Sequence, residues 1–125
     1  MQWIILTIPL LPLIGFFINL IIASRSHNDE KAGQRSGWIA SAVVGLSFFS
    51  TLIVFFRILN GDTLAYTYYQ WFAANTLSVS FGFLIDSLTL TMMLIITGVG
   101  FLIHFYSLGY MAHDPDKPRF FVYMN

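Results

Sequence analysis

This sequence predicts an all-α membrane fold: three transmembrane helices plus the start of a fourth, with a short β-hairpin on the outer, non-cytoplasmic side. Three observations predict it. Three nearly uncharged apolar stretches run from Trp3 to Ala23, from Trp38 to Phe56 and from Ser87 to Tyr106. Each has about 20 residues, which at ~1.5 Å per residue spans a ~30 Å hydrocarbon core. Lysine and arginine fall mostly on one side of these stretches, and the connection between the second and third reads as paired strands. A soluble domain of 125 residues could bury a core, but at 57% hydrophobic and 10% charged residues this chain is far from the soluble average.

The first stretch is read as a retained helix. Met1-Gln2 carries no positive side chain, the apolar run exceeds a signal-peptide core, and the basic residues Arg25, Lys31 and Arg35 come after it, the reverse of a secretory signal. Pro9 and Pro12 fall inside it. In lipid the kink they cause is tolerable when neighbours satisfy the freed carbonyls, so this helix is expected to pack among others. The second stretch carries Ser41, Gly45, Ser47, Ser50 and Thr51, small residues that let helix backbones approach.

Orientation follows from the positive charges. The first connection, 24–37, holds Arg25, Lys31 and Arg35, and the region 109–119 holds Lys117 and Arg119, whereas the middle connection, 60–81, holds only Asp62. The odd connections are therefore expected on the cytoplasmic side and the N-terminus on the opposite face. Arg57 is the misfit, with a stem long enough to snorkel to the interface. The bare Met1 start fits a bacterial inner membrane, and an organelle-encoded chain would look the same.

In the middle connection, Thr76-Leu77-Ser78-Val79-Ser80-Phe81-Gly82-Phe83 alternates polar and apolar residues as a half-buried strand does. Residues 63–71, rich in Thr, Tyr and Trp, supply its partner, and Ala73-Ala74-Asn75 the turn. The aromatics Tyr66, Tyr68, Tyr69, Trp71 and Phe72 suit an interfacial belt. At the end, Asp114-Pro115-Asp116-Lys117-Pro118 is turn and helix-start chemistry, and Phe120 to Asn125 reads as the opening of a fourth helix. The organisation is thus two N-terminal transmembrane helices with a basic cytoplasmic loop over 1–60, then hairpin, third helix and start of the fourth over 61–125. The expectation is a fragment of a longer chain.

Ionisable residues in membrane helices are functional suspects, because burying them costs several kcal/mol. Asp86 and His104 are the two here. Eighteen residues, or five helical turns, separate them, so they share a face with Thr89, Met93, Thr97, Gly100 and Ser107. Such a stripe could line a proton or water path, with His104 the type of side chain that titrates near neutral pH. The structural reading stands beside it: Asp86 caps the helix and meets the positive end of its dipole, and His104 bonds a neighbouring helix. At ~27 Å apart by helix rise they are no catalytic dyad.

Other chemistry is excluded. The chain has no cysteine, hence no thiolate metal site, iron–sulfur ligation or thiol nucleophile. Its formal net charge is zero, so nothing points to nucleic acid. Gly98-Val99-Gly100 lies inside an apolar helix and is no nucleotide loop. Gly33 to Gly37 matches a small-xxx-small spacing but is expected in a polar loop, with His27, Asp29, Glu30 and Lys31 in the same wet segment. His113-Asp114 offers two adjacent ligands, too few for a metal site. No serine has a histidine and an acid placed to activate it.

The runs Phe81-Gly-Phe-Leu-Ile-Asp86-Ser-Leu-Thr-Leu-Thr-Met92, Thr97-Gly-Val-Gly-Phe-Leu-Ile-His104-Phe-Tyr-Ser-Leu-Gly-Tyr110-Met111 and Arg119-Phe-Phe-Val-Tyr-Met-Asn125 resemble one family. They are similar to the N-terminal region of chain 5 (bacterial subunit L) of the proton-pumping NADH:quinone oxidoreductase, respiratory complex I. Residues 81–125 carry the likeness in detail, Trp71 and the alternating strand fit the family's outer hairpin, and residues 1–60 agree in layout only. The resemblance implies an antiporter-like, non-redox membrane subunit whose partners are the other membrane subunits of complex I and the lipid bilayer. It implies no cofactor in this chain: NADH, flavin, iron–sulfur clusters and quinone belong to other subunits. The family's pumping glutamate and lysines lie on later helices, and the three apolar stretches here contain neither residue. Asp86, Thr97, His104 and Tyr110 are then the residues expected to support the helix or border a polar path, and Arg119 matches the start of the fourth helix. Related readings are the large subunit of a multisubunit cation/proton antiporter and a membrane subunit of an energy-converting hydrogenase. A small assembly or scaffold membrane protein is the reading from another class.

Overall fold

The structure is a computed structural model that describes residues 2–25, 30–58, 63–74 and 77–125. Helix α1 (Gln2–Arg25) is followed by α2 (Glu30–Ile58), strands β1 (Leu64–Ala74) and β2 (Leu77–Ile85), α3 (Ser87–Tyr110) and a short α4 (Lys117–Met124). By length and composition α1, α2 and α3 can each cross a membrane, as their apolar runs predict.

The helices pair antiparallel, and side-chain contacts fix the register. Asn19 of α1 meets Ser36 of α2, whose Oγ donates to Asn19 Oδ1 at 3.0 Å, while at the other end Ser47 Oγ donates to the Ile8 carbonyl at 2.7 Å. That second bond answers the proline problem. Pro12 has no N–H, so the Ile8 carbonyl one turn back has lost its helical donor, and the Ser47 hydroxyl replaces it. A proline that would break a helix in water here ties α1 to α2.

Helices α2 and α3 are joined by reciprocal aromatic-on-glycine contacts. Phe101 of α3 lies over Gly45 of α2, where an added Cβ would come within 2.9 Å of the ring, and Phe48 of α2 lies over Gly98 of α3, where the approach would be 3.0 Å. Small residues on each helix thus seat an aromatic from the other.

Helix α2 begins at Glu30, eight residues before the apolar stretch that marks it in the sequence. The expected polar loop over Gly33–Gly37 is therefore helix, and its small-xxx-small spacing is a packing surface. Gly33 and Gly37 are buried under α4: a Cβ on Gly33 would stand 3.1 Å from Lys117 Cδ, and one on Gly37 would stand 2.5 Å from Leu108 Cδ2 and 2.8 Å from Phe121 Cε2. The charged flank hid this because Glu30, Gln34 and Arg35 face outward while Ala32, Gly33, Ser36 and Gly37 face inward. Glu30 and Lys31, both exposed in its first turn, thereby belong to α2; His27 and Asp29 lie outside the described residues.

α4 starts with Pro118 in its first turn, preceded by a tight turn in which the Asp116 backbone N–H donates to Asp114 Oδ1 at 2.8 Å. The buried Lys117 donates from Nζ to the Ala112 carbonyl at 2.8 Å. Phe121, fully buried, fills the space over Gly37, and Asn125 Nδ2 donates to the Pro12 carbonyl at 3.0 Å.

The antiparallel hairpin extends the expected strands: Ala73 and Ala74, expected in the turn, are strand residues paired with Ser78 and Leu77, and Asn75 lies outside the described residues. Register shifts leave Tyr68 and Trp71 as extra residues on β1. Such bulges re-aim side chains, and the Tyr68 hydroxyl donates to the Gln2 carbonyl at 2.5 Å, tying the hairpin to the start of α1. Burial and the neighbouring Tyr66 hold the Tyr68 phenol above its ordinary pKa, so it stays a donor. Gly82 is needed on the partner strand, since a Cβ there would stand 2.5 Å from the Tyr66 carbonyl oxygen. The half-buried pattern expected for β2 is not found: Leu77, Val79 and Phe81 are exposed, because among the described residues no element covers that face, whereas Leu64, Tyr66 and Tyr68 of β1 alternate half-buried with exposed neighbours. The main apolar core lies where Ile85 and Leu90 meet Ile5, Ile8, Val54 and Ile58.

Replacing Ser47 by alanine should destabilise the α1–α2 pair by ~1 kcal/mol, the scale of an interhelical hydrogen bond in lipid. The cost should shrink in a Pro12→Ala background, where the restored N–H reaches the Ile8 carbonyl. A double-mutant cycle on unfolding of the full-length protein in detergent measures this coupling. Gly37→Ala should cost ~1–3 kcal/mol by overpacking against Leu108 and Phe121 in the same assay.

Candidate functional site

The polar face of α3 is the candidate site, and the structure divides it into three environments. At its head, Asp86 is the N-cap of α3: its backbone is extended and its Oδ1 accepts from the Thr89 backbone N–H at 2.8 Å. Hydrogen bonds from the Thr89 hydroxyl and backbone N–H hold its carboxyl below the usual carboxylate range. The capping half of the two readings thus describes what Asp86 does in this structure.

In the middle, Thr89, Met93 and Thr97 border a cleft of about 470 Å³ between α1, α3 and the end of β2, with Pro9, Pro12 and Ser47 on its other side. Its walls are mostly apolar side chains. The Thr97 hydroxyl is turned back to the Met93 carbonyl at 2.6 Å, which leaves it little capacity to hold a ligand.

The inner third is buried. Only Leu90, His104 and Ser107 are fully buried on α3, so two of its three buried positions are polar. Ser107 Oγ donates to the Ile103 carbonyl at 2.8 Å and lies 3.7 Å from Met124 Sδ of α4. His104, 5% exposed, has Nδ1 at 2.8 Å from the Gly100 carbonyl. A carbonyl only accepts, so Nδ1 carries the hydrogen and donates. Nε2 is buried with no hydrogen-bond partner among the described residues. The expectation that His104 bonds a neighbouring helix is not met: its one bond returns to its own helix.

The structure brings Thr97 and His104 onto the packed side of α3 and sends Tyr110 away from it. Tyr110 is 73% exposed and stacks on Tyr106 with ring centroids 6.1 Å apart. Arg119 is also exposed, 3.8 Å from Asp116. Sequence reasoning missed Asn19 and Ser36, a fully buried amide–hydroxyl pair between α1 and α2. A lone Asn inside an apolar run was the available signal, whereas Ser36 was hidden by its place in the supposed loop. Among the described residues no group of three or more His, Asp or Glu side chains could hold a metal ion.

Three spanning-length helices, packed through small residues and hydroxyl-to-backbone bonds, define a polytopic membrane-protein segment. Residues 71–121 match the family described as NADH-ubiquinone oxidoreductase (complex I), chain 5 N-terminus. Over 57 residues the chain is 54% identical to NADH-quinone oxidoreductase subunit L of Mycobacterium tuberculosis (strain ATCC 25618 / H37Rv), covering 46% of this chain and 9% of the relative. It is 31% identical over 126 residues to NADH-ubiquinone oxidoreductase chain 5 of Hypocrea jecorina, covering 96% of this chain and 17% of the relative. It is 38% identical over 125 residues to the chloroplastic NAD(P)H-quinone oxidoreductase subunit 5 of Hordeum vulgare, covering 94% and 16%. These matches support a likeness of the chain to the N-terminal region of the subunit L/chain 5 family. It spans from 9% to 17% of the length of these relatives.

Because the folded-state pKa of Asp86 lies below its ordinary value, the cap's contribution is fully present above about pH 4 and is lost as pH falls through the lowered value. Asp86→Asn, which keeps a capping oxygen, should lower assembly or activity of the intact assembly a few-fold at most; Asp86→Ala should do more. Thermal unfolding of both variants between pH 3 and pH 7 checks the order, and the aspartate's advantage over asparagine should narrow at the acid end.

Proposed function

We propose that this chain forms the N-terminal part of a proton-translocating, antiporter-like membrane subunit of an NADH:quinone oxidoreductase. The match of residues 71–121 to the chain 5 N-terminus carries this reading, and the relatives' names extend it along the chain. Electron transfer takes place in other subunits, which bind NADH, flavin, iron–sulfur clusters and quinone; this one couples to proton movement. Its partners are the other membrane subunits of that complex and the surrounding lipid.

The three spanning helices supply no lysine or glutamate within their apolar windows. Glu30 and Lys31 sit exposed at the inner end of α2, and Lys117 spends its charge on a backbone carbonyl. The segment's role is therefore to pack and support the first helices of the subunit, with His104 among the buried polar groups left unpaired within the described residues and a candidate border of a hydrated route. The pairing of α1 with α2 and of α2 with α3 gathers Arg25, Lys31, Arg35, Lys117 and Arg119 at one end. The positive-inside rule supports reading that end as cytoplasmic, with the hairpin and the N-terminus on the outer side.

Purification of the tagged full-length protein from its membrane in mild detergent tests the assignment. Flavin- and iron–sulfur-containing subunits should come with it, together with NADH-driven quinone reduction. Association with a cation/proton antiporter or a hydrogenase, or isolation alone, would overturn it. Cysteines introduced singly at Gln34 and Ala74 should label from opposite sides of the membrane, Ala74 from the outside.

A further inference from the structure

Two buried polar atoms at the α2–α3 interface have no partner among the described residues: Ser41 Oγ on α2 and His104 Nε2 on α3. Ser41 is 3% exposed and His104 5%. Four contacts fix how these helices align: Gly37 with Leu108, Val44 with Gly100, Gly45 with Phe101 and Phe48 with Gly98. Ser41 lies one turn from both Gly37 and Gly45. His104 lies one turn from both Leu108 and Gly100. The two residues therefore occupy facing positions at the same depth, between contacts that close the interface above and below them.

Their chemistry is complementary. Nδ1 of His104 donates to the Gly100 carbonyl, so in the neutral ring Nε2 presents a lone pair toward the interface. Ser41 presents a hydroxyl. Other serine and threonine hydroxyls along these helices (Ser47, Ser50, Thr51, Thr97, Ser107) are bonded to a backbone carbonyl. Ser41 differs in leaving its hydroxyl unspent. Two unpaired polar groups facing each other in a lipid-embedded interface are costly, and a molecule able to donate to one and accept from the other relieves both.

We propose that Ser41 and His104 form a binding site for a single internal water, which accepts from the Ser41 hydroxyl and donates to His104 Nε2. The bridge makes Ser41 a positioning residue for the imidazole: it fixes the open nitrogen through the water while the Gly100 carbonyl fixes the other. It also gives the polar face of α3 a hydrated contact with α2, one turn from Ser107, whose hydroxyl has turned back to backbone.

A structure of the intact complex containing this chain, at a resolution that shows ordered water, tests the site. Density is expected at ~2.7–3.2 Å from both Ser41 Oγ and His104 Nε2, lost in Ser41→Ala and retained in Ser41→Thr. A dry interface, a direct Ser41–His104 hydrogen bond, or a Ser41 hydroxyl bonded to the Gly37 carbonyl would each overturn the proposal. The unaltered protein alone decides it, so a variant that fails to assemble leaves the test intact. The density is read independently of proton movement, and failure of the site and failure of the proposed function are therefore separate results.

Discussion

The requirement that every backbone carbonyl in hydrocarbon find a donor governs this bundle, and the bond from Ser47 to the Ile8 carbonyl is where it acts most visibly. Pro12 withdraws a donor from α1, and a serine two and a half turns into the apolar part of α2 restores it. The consequence is register. Once Ser47 is opposite Ile8, Asn19 falls opposite Ser36, and the two polar contacts define both ends of the α1–α2 seam. No hydrophobic force sorts Leu from Leu between helices already surrounded by lipid, so these few polar bonds and the glycine contacts carry the alignment.

From that seam the other elements follow. α4 lies against α1 and α2 because Gly33 and Gly37 provide a shallow surface for Lys117 and Phe121, and Asn125 reaches the Pro12 carbonyl on α1. The hairpin is held by a phenol on the Gln2 carbonyl and by Ile85, which enters the apolar cluster just before Asp86 starts α3. Asp86 thus ends the strand and begins the helix: its extended backbone belongs to the first and its carboxylate to the second.

Much of this was legible in the sequence because membrane spans and strand alternation are local signals. The three apolar runs fall inside α1, α2 and α3, the alternating run is β2, and the Asp-Pro-Asp-Lys-Pro segment does lead into a helix. What could not be read is pairwise. Gly33 and Gly37 look like loop glycines until Lys117 and Phe121, more than eighty residues later, are placed on them. Leu77, Val79 and Phe81 alternate as if one face were covered, yet what covers a strand is decided by another element and not by the strand. Helical spacing puts the polar stripe of α3 on one face but says nothing of where each hydroxyl points. Thr97 and Ser107 turn inward to their own backbone, whereas Asp86 spends its carboxylate on the cap.

The difference between those residues and His104 follows from side-chain geometry. A serine or threonine has one hydroxyl hydrogen, and for Thr97 and Ser107 the preceding turn of their own helix accepts it. An imidazole has two nitrogens on opposite edges, so satisfying one against Gly100 necessarily aims the other away from the helix axis, toward a neighbour. In water that second nitrogen would be solvated without consequence. At 5% exposure in a bundle of apolar helices it is a demand on α2, and the interface answers with Ser41, a residue small enough to leave room and polar enough to reply. A histidine at this depth therefore keeps a second polar atom for the seam, where Thr97 and Ser107 have each spent their one hydroxyl hydrogen on their own helix.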